Sequence, residues 1–162
     1  SGDIALATGL AGGAESILIP EIEYDIQQVC TRIMDGARQG KSHSIVIVAE
    51  GAGGEPPVST GGAFQEGAAY RIGHQIANIT GFETRIIVLG HIQRGGAPSV
   101  RDRILATMFG AKAVDLLLAG EDNAVVGMCA NQVRAIPFDE ALAMKRPINM
   151  DYYELANILS NL

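Results

Sequence analysis

The sequence predicts an α/β fold, with a mainly parallel sheet and helices on both faces. Three observations carry that expectation. Short Ile/Val runs alternate with segments whose apolar residues recur every three or four positions, the patterns of strands and amphipathic helices in turn. Apolar residues make up 48% of the chain and glycine occurs 20 times, a mix that suits a packed core with many tight turns. The 162 residues are enough for one domain with a real core.

Each element has its own local reason. Residues 3–11 are Ala- and Leu-rich and suit a helix that Gly12-Gly13 stops. Ser16-Ile17-Leu18-Ile19 reads as a short buried strand ended by Pro20. Ile26, Val29, Cys30, Ile33, Met34 and Ala37 put one apolar face on a helix from Asp25 to Arg38, closed by Gly40. Ser44 to Ala49 is a continuous Ile/Val run, the pattern of a strand covered on both faces. Residues 51–62 are rich in Gly, Pro, Ser and Thr and read as a loop. Residues 63–79 return to a helix marked by Ala69, Ile72, Ile76 and Ile79, and Ile86 to Leu89 is expected as a third strand. Residues 99–118 give the clearest helix, with Ile104, Leu105, Met108, Ala111, Val114 and Leu118 on one face. Val125 to Met128 is a fourth short strand, and helical patterns follow at 138–145 and 151–161.

Composition excludes some functions. Aromatic residues are 5% of the chain and the net charge is −6, which argues against a base-stacking or nonspecific nucleic-acid surface. Cys30 and Cys129 lie in separate apolar patterns. A disulfide is open on count alone, but small apolar core roles are preferred. No metal-ligand spacing is present. No apolar stretch reaches membrane-spanning length and no signal-peptide pattern is visible, so a cytoplasmic protein with no membrane contact is expected.

Positive charge is nevertheless concentrated locally: Arg85, Arg94, Arg101 and Arg103 fall within nineteen positions. The run Ile86 to Gly90 is followed at once by His91-Ile92-Gln93-Arg94-Gly95-Gly96, and Pro98-Ser99 opens the next helix. Ligands of open α/β sheets bind beyond the carboxyl ends of the strands, and guanidinium groups match phosphate oxygens bidentately. His91 and Arg94 therefore read as a phosphate clamp. Arg85 precedes the run, and four extended residues span roughly 13 Å, so one phosphate is not easily held by both ends of the run within a single chain. Glu50 ends the second strand, on the same edge as His91 and Arg94 if the strands are parallel, where a carboxylate accepts hydrogen bonds from sugar hydroxyls. Glu15, Lys41 and His43 precede strands, on the opposite edge.

Gly90-His91-Ile92-Gln93-Arg94-Gly95-Gly96-Ala97-Pro98-Ser99, with Asp102-Arg103-Ile104-Leu105-Ala106 after it, resembles the signature of the 6-phosphofructokinase family. Ser1-Gly2-Asp3-Ile4-Ala5-Leu6, Gly12-Gly13-Ala14-Glu15, Ile19-Pro20-Glu21, Gly40-Lys41-Ser42-His43 and Val48-Ala49-Glu50 resemble further family blocks in the family's order. The resemblance implies the carboxyl-terminal portion, residues 1–162, of a two-lobed enzyme with a Rossmann-like sheet. Residues 95–120 are then expected to pack partly on the other, donor-binding lobe. It implies transfer of a phosphoryl group to the 1-hydroxyl of fructose 6-phosphate in glycolysis, with Mg²⁺ and ATP or pyrophosphate held mainly outside these residues, and a homo-oligomer, dimer or tetramer. By the same resemblance Ser1 follows the family's Met-Gly-Arg block. The donor glycine loops and catalytic aspartate lie earlier, so no catalytic residue and no metal ligand is expected here, and the chain alone is expected to be inactive.

Carried over residue by residue, the resemblance gives fructose 6-phosphate to Glu50, Arg85, His91 and Arg94. It gives a nucleotide effector or inhibitory anion to Glu15, Lys41 and His43. The chain departs from the family pattern at Gln39, where many such enzymes have a basic residue. A second departure is the stretch between Glu50 and Arg85, longer than in compact bacterial relatives. A noncatalytic sugar-phosphate sensor and an α/β interaction domain remain alternatives on these residues alone.

Overall fold

The computed structural model describes residues 1–54, 67–144 and 147–160. In chain order the elements are α1 (Asp3–Gly12), β1 (Ser16–Leu18), α2 (Ile26–Arg38), β2 (Val46–Val48), α3 (Ala68–Thr80), a 3₁₀ turn (Gly90–Arg94), α4 (Val100–Leu118), β3 (Ala124–Cys129), β4 (Gln132–Pro137), α5 (Phe138–Ala143) and α6 (Met150–Ser160). The chain is α/β and divides into two compact units, Ser1–Val88 with Ile148–Leu162, and Leu89–Pro147.

In the first unit β1 and β2 pair in parallel, with Ile17 opposite Ile47. Side chains alternate across a strand, and β1 uses both faces. Leu18 packs with Val29, Cys30 and Ile33 of α2 and Ile72 and Ile76 of α3. Ile17 and Ile19 turn the other way, onto Ala5 and Leu6 of α1 and Ala156 of α6. Val46 and Val48 lean on the first cluster and Ile47 on the second, so the expected two-sided cover of this strand is observed. Asp25 starts α2 by accepting a hydrogen bond from the Gln27 backbone N–H at 2.8 Å. Gly13, at φ 67°, stops α1 in a left-handed cap.

Gly9 sets the closest approach of α1 to the strands. A Cβ there would stand 2.5 Å from Ile17 Cδ1 and 2.6 Å from Cγ1, and Ile17 is itself buried in β1. Overpacking of this kind costs about 1–3 kcal/mol, against about 1 kcal/mol gained in helix propensity. Gly9→Ala is therefore expected to destabilise the protein by up to about 2 kcal/mol, read as a lower urea midpoint at unchanged slope.

The second unit is built differently. β3 and β4 form an antiparallel hairpin, Val126 opposite Ala135. Ala130 and Asn131 turn it with φ of 48° and 61°, the positive values that a two-residue hairpin loop requires. α4 opens on a capping box: the Ser99 side chain accepts from the Asp102 N–H at 3.2 Å, and the Asp102 carboxylate accepts from the Ser99 N–H at 2.8 Å. Hydrogen bonds donated to it by the Ser99 backbone N–H and the Ser99 hydroxyl hold the Asp102 carboxyl below its ordinary range.

Two expectations need correction. Ile86 to Leu89 is not a strand. It pairs with no strand among the described residues, and a lone run has no ladder for its N–H and C=O groups. Ile86 turns onto Gly73 of α3, while Ile87 is 78% exposed. The face of α4 that carries Ile104, Met108, Val114 and Leu118 is also exposed, and Leu116 is the buried residue of that helix. In addition, β4 was not expected. The amino-terminal part of the expected 63–79 helix, up to residue 66, lies outside the described residues.

Candidate functional site

The carboxyl edge of the parallel pair carries Glu50. β2 ends at Val48, and the Ala49 N–H still reaches the Leu18 carbonyl at 2.8 Å. The chain then turns, with the Ala52 N–H donating to the Ala49 carbonyl at 3.0 Å. Ala52 is buried, while Glu50 stays exposed in the turn between. An exposed carboxylate just beyond a strand end is a hydrogen-bond acceptor with free lone pairs.

Arg85 belongs to the same unit, on the segment after α3. Its Nε donates to Glu83 Oε1 at 3.0 Å, and the two side chains are 84% and 77% exposed. Solvent-exposed pairs of this kind contribute little, so the guanidinium is readily re-partnered.

His91 and Arg94 belong to the second unit, on the 3₁₀ turn Gly90–Arg94. Gly90 at φ 55° and Gly95 at φ 79° bracket it. The Ile92 N–H donates to the Leu89 carbonyl at 3.2 Å, and the Gly95 N–H to the Ile92 carbonyl at 3.0 Å. Side chains three residues apart eclipse in a 3₁₀ helix. The turn thus carries an exposed imidazole and an exposed guanidinium three residues apart.

At the opposite edge of the parallel pair an open cleft of about 340 Å³ is lined by Glu15, Arg32, Asp35, Gly36, Gln39 and Lys41, with Gln28, Thr31 and Ser160 beside them. Glu15 is fixed there because its Oε2 accepts the Ile45 N–H at 2.6 Å. The Lys41 stem lies across Gly36, whose Cβ would stand 3.2 Å from Lys41 Cδ. Arg32 Nη1 donates to the Glu15 carbonyl at 2.8 Å. Asp35 pairs with Arg38 at 2.7 Å.

The structure therefore brings Glu15 and Lys41 to one cleft. His43 is not one of its lining residues and sits in an exposed loop, 3.2 Å from the Ser42 hydroxyl. Sequence reasoning missed Arg32. Gln28, Arg32, Asp35, Gly36 and Gln39 recur at helical spacing along α2, and that polar stripe was the available signal. Cys30 and Cys129 are both free thiols, and burial pushes Cys30 up. Among the described residues no group of three or more His, Cys, Asp and Glu side chains is placed to hold a metal ion. No helix among them is long and apolar enough to cross a membrane.

The units define an α/β protein with an exposed carboxylate beyond a strand end and an exposed imidazole and guanidinium on a tight turn. The chain belongs to the phosphofructokinase family: residues 1–117 match the family model described as Phosphofructokinase. It is 51% identical over 160 residues to the ATP-dependent 6-phosphofructokinase of Halothermothrix orenii, covering 99% of this chain and 48% of that protein. The ATP-dependent 6-phosphofructokinase of Clostridium acetobutylicum is 44% identical over 159 residues, covering 98% and 46%. The chain thus spans about half the length of these relatives. Among solved structures, phosphofructokinase from Saccharomyces cerevisiae matches with a TM-score of 0.66 at 28% identity, over 99% of this chain and 20% of that one. The T-state crystal structure of Pichia pastoris phosphofructokinase gives 0.65 at 28%, over 98% and 17%.

Proposed function

We propose that these residues are the sugar-phosphate-binding portion of an ATP-dependent 6-phosphofructokinase, which phosphorylates fructose 6-phosphate at its 1-hydroxyl. The observation that carries the reading is the 3₁₀ turn that bears both His91 and Arg94, each exposed, within the span that matches the family. These two side chains hold the 6-phosphate by charge and hydrogen bonding. Glu50 accepts from the sugar hydroxyls, and Arg85 of a neighbouring copy completes the phosphate site in a homo-oligomer. ATP is favoured over pyrophosphate by the relatives' ATP-dependent activity. Donor and metal chemistry are assigned to other parts of the enzyme, as the family resemblance implies. What this chain contributes is positioning: it fixes the acceptor so that its 1-hydroxyl faces the donor.

The cleft with Glu15, Arg32 and Lys41 suits a phosphate-bearing effector. Gln39 leaves that cleft one cation short of a strongly basic site, which favours weak rather than tight control.

A coupled assay on the full-length protein, beside the chain alone, tests the proposal. Turnover of fructose 6-phosphate with ATP is expected from the full-length protein. From the purified chain alone, binding without turnover is expected. Full turnover from the chain alone overturns the division of labour. Failure of the full-length protein to phosphorylate fructose 6-phosphate overturns the activity.

A further inference from the structure

The turn that carries Glu50 is fastened from two sides. On one side it is tied to β1, through the Ala49 N–H bond to the Leu18 carbonyl. Gly51 lies against Pro20 there, where a Cβ would stand 3.3 Å from the proline ring. On the other side a single side chain reaches across from α3. Arg71 Nη2 donates to the Ala52 carbonyl at 2.9 Å and, at the limit of hydrogen-bond distance, to the Gly53 carbonyl at 3.5 Å. The Tyr24 hydroxyl closes the same corner: it stands 2.6 Å from where a Cβ on Gly53 would lie, and Gly53 is at φ 81°. Carbonyls at a turn end need partners. Here a charged donor provides one, and its planar fork restricts how the 52–53 backbone can rotate.

We propose that Arg71 is a positioning residue for Glu50. It touches no substrate. By holding the 52–53 carbonyls to α3 it fixes the turn two residues earlier, and so the direction in which the Glu50 carboxylate is presented. This rests on the reading of Glu50 as the sugar-contacting carboxylate. A charged donor bonded to backbone has an effect large enough to be read in binding, and an unfastened turn lets an exposed carboxylate sample orientations that do not meet the sugar.

The test is a double-mutant cycle in the full-length protein, with Arg71→Met, Arg71→Lys, Glu50→Gln and the combined variants. Arg71→Met keeps the apolar stem and removes the donors. It is expected to raise KM for fructose 6-phosphate about tenfold, with kcat and the KM for ATP within about twofold. Arg71→Lys is expected to restore part of the loss. In the Glu50→Gln background Arg71→Met should add less than about twofold, because the carboxylate it positions is gone. Three results overturn the proposal in distinguishable ways. If Glu50→Gln leaves KM for fructose 6-phosphate unchanged, the Glu50 reading falls and the positioning role falls with it. If Glu50→Gln raises that KM while Arg71→Met does not, only the positioning role falls. If Arg71→Met has the same effect in both backgrounds, Arg71 acts on general structure and not through Glu50. Should Arg71→Met fail to fold, the cycle between Arg71→Lys and Glu50→Gln reads the same coupling.

Discussion

Arg94→Ala in the full-length protein is expected to weaken fructose 6-phosphate binding by about 2–5 kcal/mol, the cost of truncating one partner of a charge pair that binding desolvates. At 1.4 kcal/mol per decade this is at least about thirtyfold in affinity. Arg94 is exposed and, among the described residues, has no carboxylate within ion-pair distance. Its guanidinium therefore has no competing partner to give up when phosphate arrives, and the loss on truncation falls on the ligand. Donor affinity should change little, because donor binding is assigned outside these residues. Arg94→Lys is a useful companion: it keeps the charge but loses the planar fork, so it should recover only part of the affinity. The measurement is calorimetric titration with fructose 6-phosphate, alongside KM for ATP. Unchanged sugar-phosphate affinity in Arg94→Ala would remove the clamp on His91 and Arg94.

The sequence was most legible where one short segment decides its own conformation. The helix spacing of Ile26 to Ala37, the glycine stop after α1 and the Ser99 cap of α4 all appear where local chemistry puts them. The turn after β2 also leaves Glu50 exposed at a strand end, as its Ala-Glu-Gly sequence implies. Legibility failed where the outcome depends on neighbours. Ile86 to Leu89 has strand composition, but composition supplies no partner for a ladder, and none is present among the described residues. The apolar face of α4 has the right period for burial, yet period says nothing about what covers it. β4 was missed although Gln132 to Pro137 mixes polar with apolar residues much as a half-buried strand does. The Ala130-Asn131 loop that makes its hairpin lacks the glycine that usually marks such turns. In the site, His91 and Arg94 were read from their place just after an apolar run, and both lie exposed on one 3₁₀ turn. Arg32 and Arg71 were not, because each acts by reaching a backbone carbonyl 17 or 19 positions away, and no local pattern encodes that reach.

Mixing two inactive full-length variants, Arg85→Ala and Arg94→Ala, under subunit exchange is expected to restore part of the activity. Arg85 precedes the apolar run and lies in the first unit, whereas His91 and Arg94 follow that run and lie in the second. Although Ile86 to Leu89 is no strand, four residues in a fully extended conformation would cover roughly 13 Å, more than the few ångströms between the oxygens of one phosphate. Among the described residues Arg85 is held by an exposed pair with Glu83, so turning toward an anion on a neighbouring molecule costs little. If one chain supplies His91 and Arg94 and another supplies Arg85, a hybrid oligomer contains some sites with both arginines intact. It also contains some sites with neither, and each parent homo-oligomer has only defective sites. In a random one-to-one mixture, about a quarter of sites should then be wild-type-like if substrate contacts cross a single interface, and the restored sites should show the wild-type KM for fructose 6-phosphate. The activity should appear at the rate of subunit exchange and disappear when exchange is blocked by cross-linking the parents first. If exchange is demonstrated by labelled subunits and no activity returns, Arg85 serves its own chain and the shared site is wrong. If activity returns without the wild-type KM for fructose 6-phosphate, the gain comes from stabilisation of the oligomer and not from reassembled sites.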